Sequence, residues 1–430
     1  MRHLLNRSLV VLALSLAVLN QGHAQFSIDA QYRNRFAVRE GYKSIIEAGH
    51  DPAFIISQRT RINMQYEKGI LKLRFSPQDV RIWGDENIAS STGVFGKTAS
   101  LDLYEGYVEI SAAAFKLTVG RQMLVYDNQR LLGSRNWNQR GISYDAVVVK
   151  YSSGGWNIHL GGSWNTLCES NYDNYYPASR IKSLNYLWVN RKISKKFTAS
   201  FMHIASGRTE NDSTNIMHFL QTSGAYIIFN TNRLTFWADA FYQYGKNSGG
   251  MSVRACLLDT EIAYASGPIE PALGFSYLSG NHDLGPDQKY DHLFDPLYGA
   301  RHRYFGDMDF FRDFNRNTAG AGLVDLYFCL EYKALKELSL HNTTHYFRLA
   351  NTNESTPAHE ELGIENDFTI KYHFREWGSL EAGYALFFPT SSLKELQGVD
   401  RNSLPQFFYI QLNITPLLLS LDHDSGSRTQ

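Results

Sequence analysis

The chain has 430 residues, 14% of them aromatic, and its 42 Lys and Arg balance 42 Asp and Glu. That balance gives nucleic acid no basic footprint, and Cys168, Cys256 and Cys329 are too few and too scattered for a disulfide framework or a zinc site. Beyond the first two dozen residues no apolar run approaches the ~20 residues a spanning helix needs, which excludes a helical membrane protein.

At the N-terminus, Arg2, His3 and Arg7 flank the start of an almost unbroken apolar run from Leu9 to Leu19, and small Gly22 and Ala24 follow. This is the pattern of a cleaved secretory signal over residues 1–24, which sends the chain beyond the inner membrane. From there on, apolar and polar residues alternate with a period of two, and a period of two means strand. In 54–66, Ile56, Ile62, Met64 and Tyr66 oppose Ser57, Arg59, Arg61, Asn63 and Gln65. In 155–165, Trp156, Ile158, Leu160 and Trp164 oppose Asn157, His159, Ser163 and Asn165. The segments 359–374 and 404–416 repeat the pattern, and the polar phase of the first of them carries full charges.

Connection lengths separate a barrel from a soluble sandwich. Short turns near 67–69, 112–114, 152–155, 194–196, 230–232, 266–268, 334–337 and 375–378 take turns with mostly longer polar links. Those links fall at 38–53, 84–100, 127–141, 166–181, 206–213, 246–250, 280–320, 351–359 and 389–403. Tight periplasmic turns alternating with long extracellular loops, together with aromatic girdles, define a bacterial outer-membrane barrel. The expected fold is all-β: one transmembrane antiparallel barrel of about eighteen strands, a monomer in outer-membrane lipid. It is expected over 25–418 with a C-terminal periplasmic tail over 419–430, and a ring that wide encloses water.

Two stretches are more specific than the alternation: 119–145 (VGRQMLVYDNQRLLGSRNWNQRGISYD) and Phe294 to Phe311 (FDPLYGARHRYFGDMDFF). Both resemble segments of the bacterial alginate-export family of outer-membrane barrels. The resemblance covers nearly the whole mature chain and implies transport of an anionic polysaccharide, or of other solutes in wider relatives. It also implies pore roles for Arg121 and Lys150, although Arg121 shares its phase with Leu117 and Val119 and needs a bulge to point inward. Arg130, Arg135, Asn136, Trp137 and Arg140 fall in the expected extracellular hallmark loop, its arginines to order it or to meet substrate first.

The residues supply an independent reason for anion selectivity. Arg33 and Arg35 share the polar phase of the first strand, Arg59 and Arg61 that of the second, and Lys72 and Arg74 that of the third. Basic side chains from three consecutive strands would line one side of the lumen, and a basic ring selects anions in a confined, low-dielectric constriction. Arg also offers a planar fork that matches a carboxylate such as that of a uronic acid. The competing reading is a structural charge lattice with Glu105, Glu109, Asp145, Asp239, Asp259, Glu365 and Asp367 as partners. The pore is expected to work without chemistry or cofactor, with an acidic saccharide as solute and with periplasmic export or uptake components as partners. A substrate-selective nutrient porin for small carboxylates or sugars is the alternative.

Three further features bear on other functions. Ser339, His341, Thr343 and His345 share one strand face, but neighbours two apart on a strand stand roughly 7 Å apart, too far for a nucleophile and its base. An outer-membrane hydrolase is therefore the weakest reading. His282, Asp283, Asp287, Asp291, His292 and Asp295 crowd the 280–320 link, yet their spacing fits no calcium loop. That link either folds into the lumen as a gate, held by Tyr298, Tyr304, Phe305, Phe310 and Phe311, or caps the barrel from outside.

Overall fold

A computed structural model describes residues 24–84 and 100–423. Nearly all of the expected signal segment, the middle of the 84–100 link and the last residues of the tail lie outside the described residues.

Eighteen strands form one closed antiparallel wall. The first nine are β1 (Ala24–Glu40), β2 (Ala53–Lys68), β3 (Leu71–Ile82), β4 (Ser100–Ala112), β5 (Phe115–Gln122), β6 (Tyr144–Ser153), β7 (Trp156–Trp164), β8 (Ser183–Lys192) and β9 (Phe197–Thr209). The wall continues through β10 (Met217–Asn230), β11 (Leu234–Gly245), β12 (Ala255–Tyr264), β13 (Ile269–Leu278) and β14 (Leu323–Lys333). It ends with β15 (Leu338–Leu349), β16 (Glu361–Arg375), β17 (Gly378–Pro389) and a two-part β18 (Gln406–Ile414, Leu417–His423). Each strand pairs with the next, and β18 returns to β1 from Glu40 opposite Gln406 to Tyr32 opposite Ile414. An even strand number leaves the first and last strands antiparallel, so the ladder closes without an edge. Lipid offers no partner to unpaired backbone groups, so only a closed ladder is stable there.

Burial follows the period of two, but with its sense inverted. Leu73 and Phe75 on β3, Val108 and Ile110 on β4, and Val147 and Val149 on β6 are exposed, whereas Arg59, Asp239, Asp259, Asp325 and Glu365 are buried. An apolar exterior around a charged interior suits a hydrocarbon solvent and would be unstable in water.

The C-terminal boundary differs from expectation. Pro416, with no N–H to donate, interrupts β18, but the strand resumes and pairs with β1 from Asp29 opposite Leu417 to Ala24 opposite His423. Residues 419–423 therefore belong to the wall rather than to a tail.

Two long connections do not stand outside the barrel. Residues 123–143, between β5 and β6, and residues 279–322, between β13 and β14, fold into the lumen. Phe310 stacks on Phe387 of β17 at 4.3 Å and Phe311 packs on Phe347 of β15 at 4.7 Å. The aromatic residues expected to hold the second loop (Tyr298, Tyr304, Phe305, Phe310, Phe311) are all buried. The loop is a lumenal insert, not an external cap.

Val149 lies mid-strand on the exposed face. Val149→Arg should destabilise the folded barrel by about 2–4 kcal/mol, the range for a basic residue at the bilayer midplane. Urea titration in lipid vesicles measures the shift.

Candidate functional site

The inward arginines of β1 and β2 do not form a free ring; they hold the 123–143 loop by its carbonyls. Arg59, fully buried, donates to the backbone oxygens of Gln139 and Asn138 and to Asn136 Oδ1 at 2.8 Å. Arg33 donates to Asn136 O at 2.5 Å and Arg35 to Trp137 O at 2.8 Å. Arg61 acts at one remove: it donates to Gln78 Oε1 at 2.5 Å, and Gln78 donates to Arg140 O at 2.9 Å. The loop carries its own run of oriented dipoles, so these guanidiniums are satisfied without carboxylates.

The two lumenal loops are knitted to each other and to the opposite wall. Arg135 donates to Gly299 O and Leu297 O, both at 3.1 Å, and Tyr298 N donates to Leu131 O at 3.1 Å. Arg130 forms a buried ion pair with Asp259 of β12, under the rings of Tyr304 and Phe305. Asn128 donates to Asp239 of β11 at 2.6 Å. The second loop turns at Gly306, φ 76°, where a Cβ would stand 2.3 Å from Glu365 Oε1. Only glycine fits that approach, which lets Met308 N reach Glu365 at 2.7 Å and Asp307 N reach Asp367 at 3.1 Å.

The other anticipated residues separate. Arg74 faces the lumen and pairs with Glu105 at 3.5 Å. Lys150 faces it nearer the short-turn end, bonded to Glu109 at 3.0 Å. Arg121 does not face the lumen: no bulge interrupts the β4–β5 register, and it lies on the outer face bonded to Asp145 at 2.9 Å. Arg130, Arg135, Asn136 and Trp137 order the hallmark loop, but inside the barrel. Asp291 accepts from Asn281, Asn247 and Leu293 N, and among the described residues no three His, Cys, Asp or Glu side chains gather as metal ligands. His341 meets Cys329 and Thr343, and His345 meets Asp325 and Asp367.

Two of the chambers that the loops leave flank the contact of Trp137 with His302. The outer one, about 850 Å³, opens at the long-loop end beside Arg39, Lys43 and Ile82. Among the described residues lining it, Arg and Lys outnumber Asp and Glu nine to two. Of these, Arg39, Lys43, Arg140 and Arg303 make no hydrogen bond or ion pair through their charged groups within the described chain. The inner chamber, about 820 Å³, lies toward the short turns beside Thr235, Glu270 and Ser339. Sequence reading placed the constriction at Arg33, Arg59 and Arg61 and named Arg35, Arg135 and Arg140 of this outer set, but missed Arg39, Lys43 and Arg303, although Arg301, Arg303 and Arg312 fall in or beside the second hallmark stretch.

Trp137, His302 and Arg303 line both chambers. The Arg35 guanidinium lies 3.7 Å from the centre of the Trp137 ring and the His302 ring stacks on it at 4.1 Å and 14°. Two groups that close can occupy only opposite faces of one indole. His302 is held by Asp309 at 3.1 Å and Asp307 at 3.4 Å. Burial alone would lower its pKa, but these carboxylates outweigh that and raise it. Burial raises and His302, Tyr42 and Arg312 lower the pKa of Asp309, with a net decrease.

The family described as alginate export matches residues 24–407. No curated protein matches the sequence significantly. Among solved structures, OccAB1 of Acinetobacter baumannii is similar at TM-score 0.62 and 14% identity, over 92% of this chain and 97% of that one. The outer-membrane protein OpdK of Pseudomonas aeruginosa is similar at TM-score 0.60 and 12% identity, over 93% and 99%.

Arg59→Ala should free the loop carbonyls and loosen the 123–143 insert. Single-channel recordings should show larger and noisier conductance, with the wall intact by heat-modified mobility. The His302–Asp309 contact has opposite limits on its two sides. The raised His302 contribution is complete below the ordinary histidine value and lost as pH climbs through the raised one. The lowered Asp309 contribution is complete above the ordinary carboxylate value and lost as pH falls through the lowered one. Hydrogen-exchange protection of residues 301–312 should therefore decline on both sides of neutrality, and His302→Gln should remove the alkaline limb.

Proposed function

Because the chain belongs to the alginate-export family, we propose that it passes anionic solutes, acidic oligosaccharides or small carboxylates, through its basic outer chamber. It is an outer-membrane pore and not an enzyme. The observation that carries the proposal is the unpaired set Arg39, Lys43, Arg140 and Arg303 around one chamber at the extracellular end. Fixed cations in a confined, low-dielectric cleft concentrate anions and admit them ahead of cations. Arg adds the planar fork that suits carboxylates.

Chamber size favours short solutes over a threaded polymer. About 850 Å³ falls in the range of sites for compact organic ligands. OpdK has been crystallised with vanillate, an aromatic carboxylate of that scale. The family's description favours the second reading, release of an acidic polysaccharide delivered by periplasmic components. The pore acts as a monomer in both readings.

Reversal potential across a planar bilayer under a salt gradient tests the proposal. The wild type should prefer anions, and Arg39→Gln/Arg140→Gln should reduce the anion-to-cation permeability ratio by roughly severalfold, within the range of electrostatic focusing. An unchanged ratio would remove the outer chamber from the conduction path.

A further inference from the structure

The inner chamber has the opposite sign. Among its described lining residues, Asp and Glu outnumber Arg and Lys seven to two. Lys333 reaches Glu270 at 3.6 Å and Glu331 at 3.7 Å, so those two carboxylates are compensated. Glu261 and Glu381 have no Arg or Lys within ion-pair distance among the described residues. Glu261 accepts from Trp237 Nε1 at 3.0 Å and Tyr327 Oη at 2.9 Å, and Glu381 accepts from Tyr409 Oη at 2.9 Å. Neutral donors orient a carboxylate without cancelling its charge.

Asp367 in the same lining is already held by Asp307 N at 3.1 Å and His345 Nε2 at 3.7 Å, which leaves Glu261 and Glu381 to meet a cation. Tyr327 lies across Gly274 and Tyr409 across Gly383, where a Cβ would stand 1.9 and 2.1 Å from the rings. Laid against the wall, these rings line the chamber with the carboxylates they orient. Carboxylates with aromatic walls are the chemistry that accepts ammonium groups.

We propose that the carried solute is dipolar, with an anionic group that occupies the outer chamber while a cationic group a few bonds away occupies the inner one. The inference rests on the anion reading of the outer chamber and deepens it. The chambers share Trp137, His302 and Arg303 in their linings, so a short molecule lying along that boundary would face both. A dianion meets uncompensated carboxylates on the inner side, and a dication meets unpaired guanidiniums on the outer side. Only a solute with both charges is attracted in each chamber.

Three five-carbon probes of equal length separate the cases: glutarate, 5-aminovalerate and 1,5-diaminopentane. Each is added at the extracellular side of the whole protein in a planar bilayer at low salt, and its dwell time is read from current block. The expected result is a dwell of 5-aminovalerate about tenfold longer than either other probe, shrinking as salt screens the chambers. Glu261→Gln/Glu381→Gln should abolish that advantage and lengthen the glutarate dwell, while Glu261→Asp/Glu381→Asp should keep it. Glutarate dwelling longest in the wild type would overturn the dipolar inference and leave the anion reading standing. The diamine dwelling longest, or three equal dwells, would overturn both. A 5-aminovalerate advantage untouched by the Gln double variant would overturn the role given to the inner chamber.

Discussion

A guanidinium buried inside a membrane barrel needs acceptors, and Arg59 finds them on the backbone of a loop rather than on the wall. Hydrogen bonds to a charged group are each worth about 1.5–3 kcal/mol, and a buried charge left without them costs more. The clamp therefore works in both directions: the loop satisfies the arginine, and the arginine keeps the loop inside. Every other feature of the lumen depends on this. With residues 123–143 drawn in, Arg135 and Tyr298 can bind the second loop to the first, and the bore is divided into chambers instead of an open tube.

The same logic holds across the lumen with polarity reversed. On the β1–β2 side, basic side chains meet loop carbonyls. On the β16 side, Glu365 and Asp367 meet the N–H groups of Met308 and Asp307. The inserted backbone thus lies with its dipoles aligned between a basic and an acidic face, which is why each face tolerates charges that its own wall does not neutralise. Among the described residues, Arg130 and Asp259 provide the one direct crossing ion pair between the first loop and the acidic side.

The wall was legible from sequence because alternation and connection length are local signals. Strand number, turn positions and the inward phase of Arg33, Arg59, Arg61 and Arg74 followed from them, while Lys150 came from the family resemblance. Arg121 illustrates the boundary: its phase placed it outward, the resemblance placed it inward, and the register supports the phase. The loops were harder, since nothing local tells whether a polar, aromatic-rich segment folds inward. That depends on carbonyls at 136–140 meeting arginines some 80 positions earlier. The unpaired cations of the outer chamber were obscured for the same reason. They are defined by which partners the fold withholds, and a charge without a partner leaves no pattern in the chain.

The seam between β1 and β18 has a consequence for biogenesis. One edge of residues 25–29 pairs with 63–67 of β2, but the other edge of residues 24–29 finds its partners in 417–423, nearly the whole length of the described chain away. The hoop cannot shut while synthesis or secretion is in progress, and until then two unpaired edges face whatever assists insertion. Contacts this distant in sequence form slowly. The rate at which the pore reaches its working form is therefore set by its last few residues, and shortening the chain at Ile414 would leave the lower seam unzipped however well the other strands had paired.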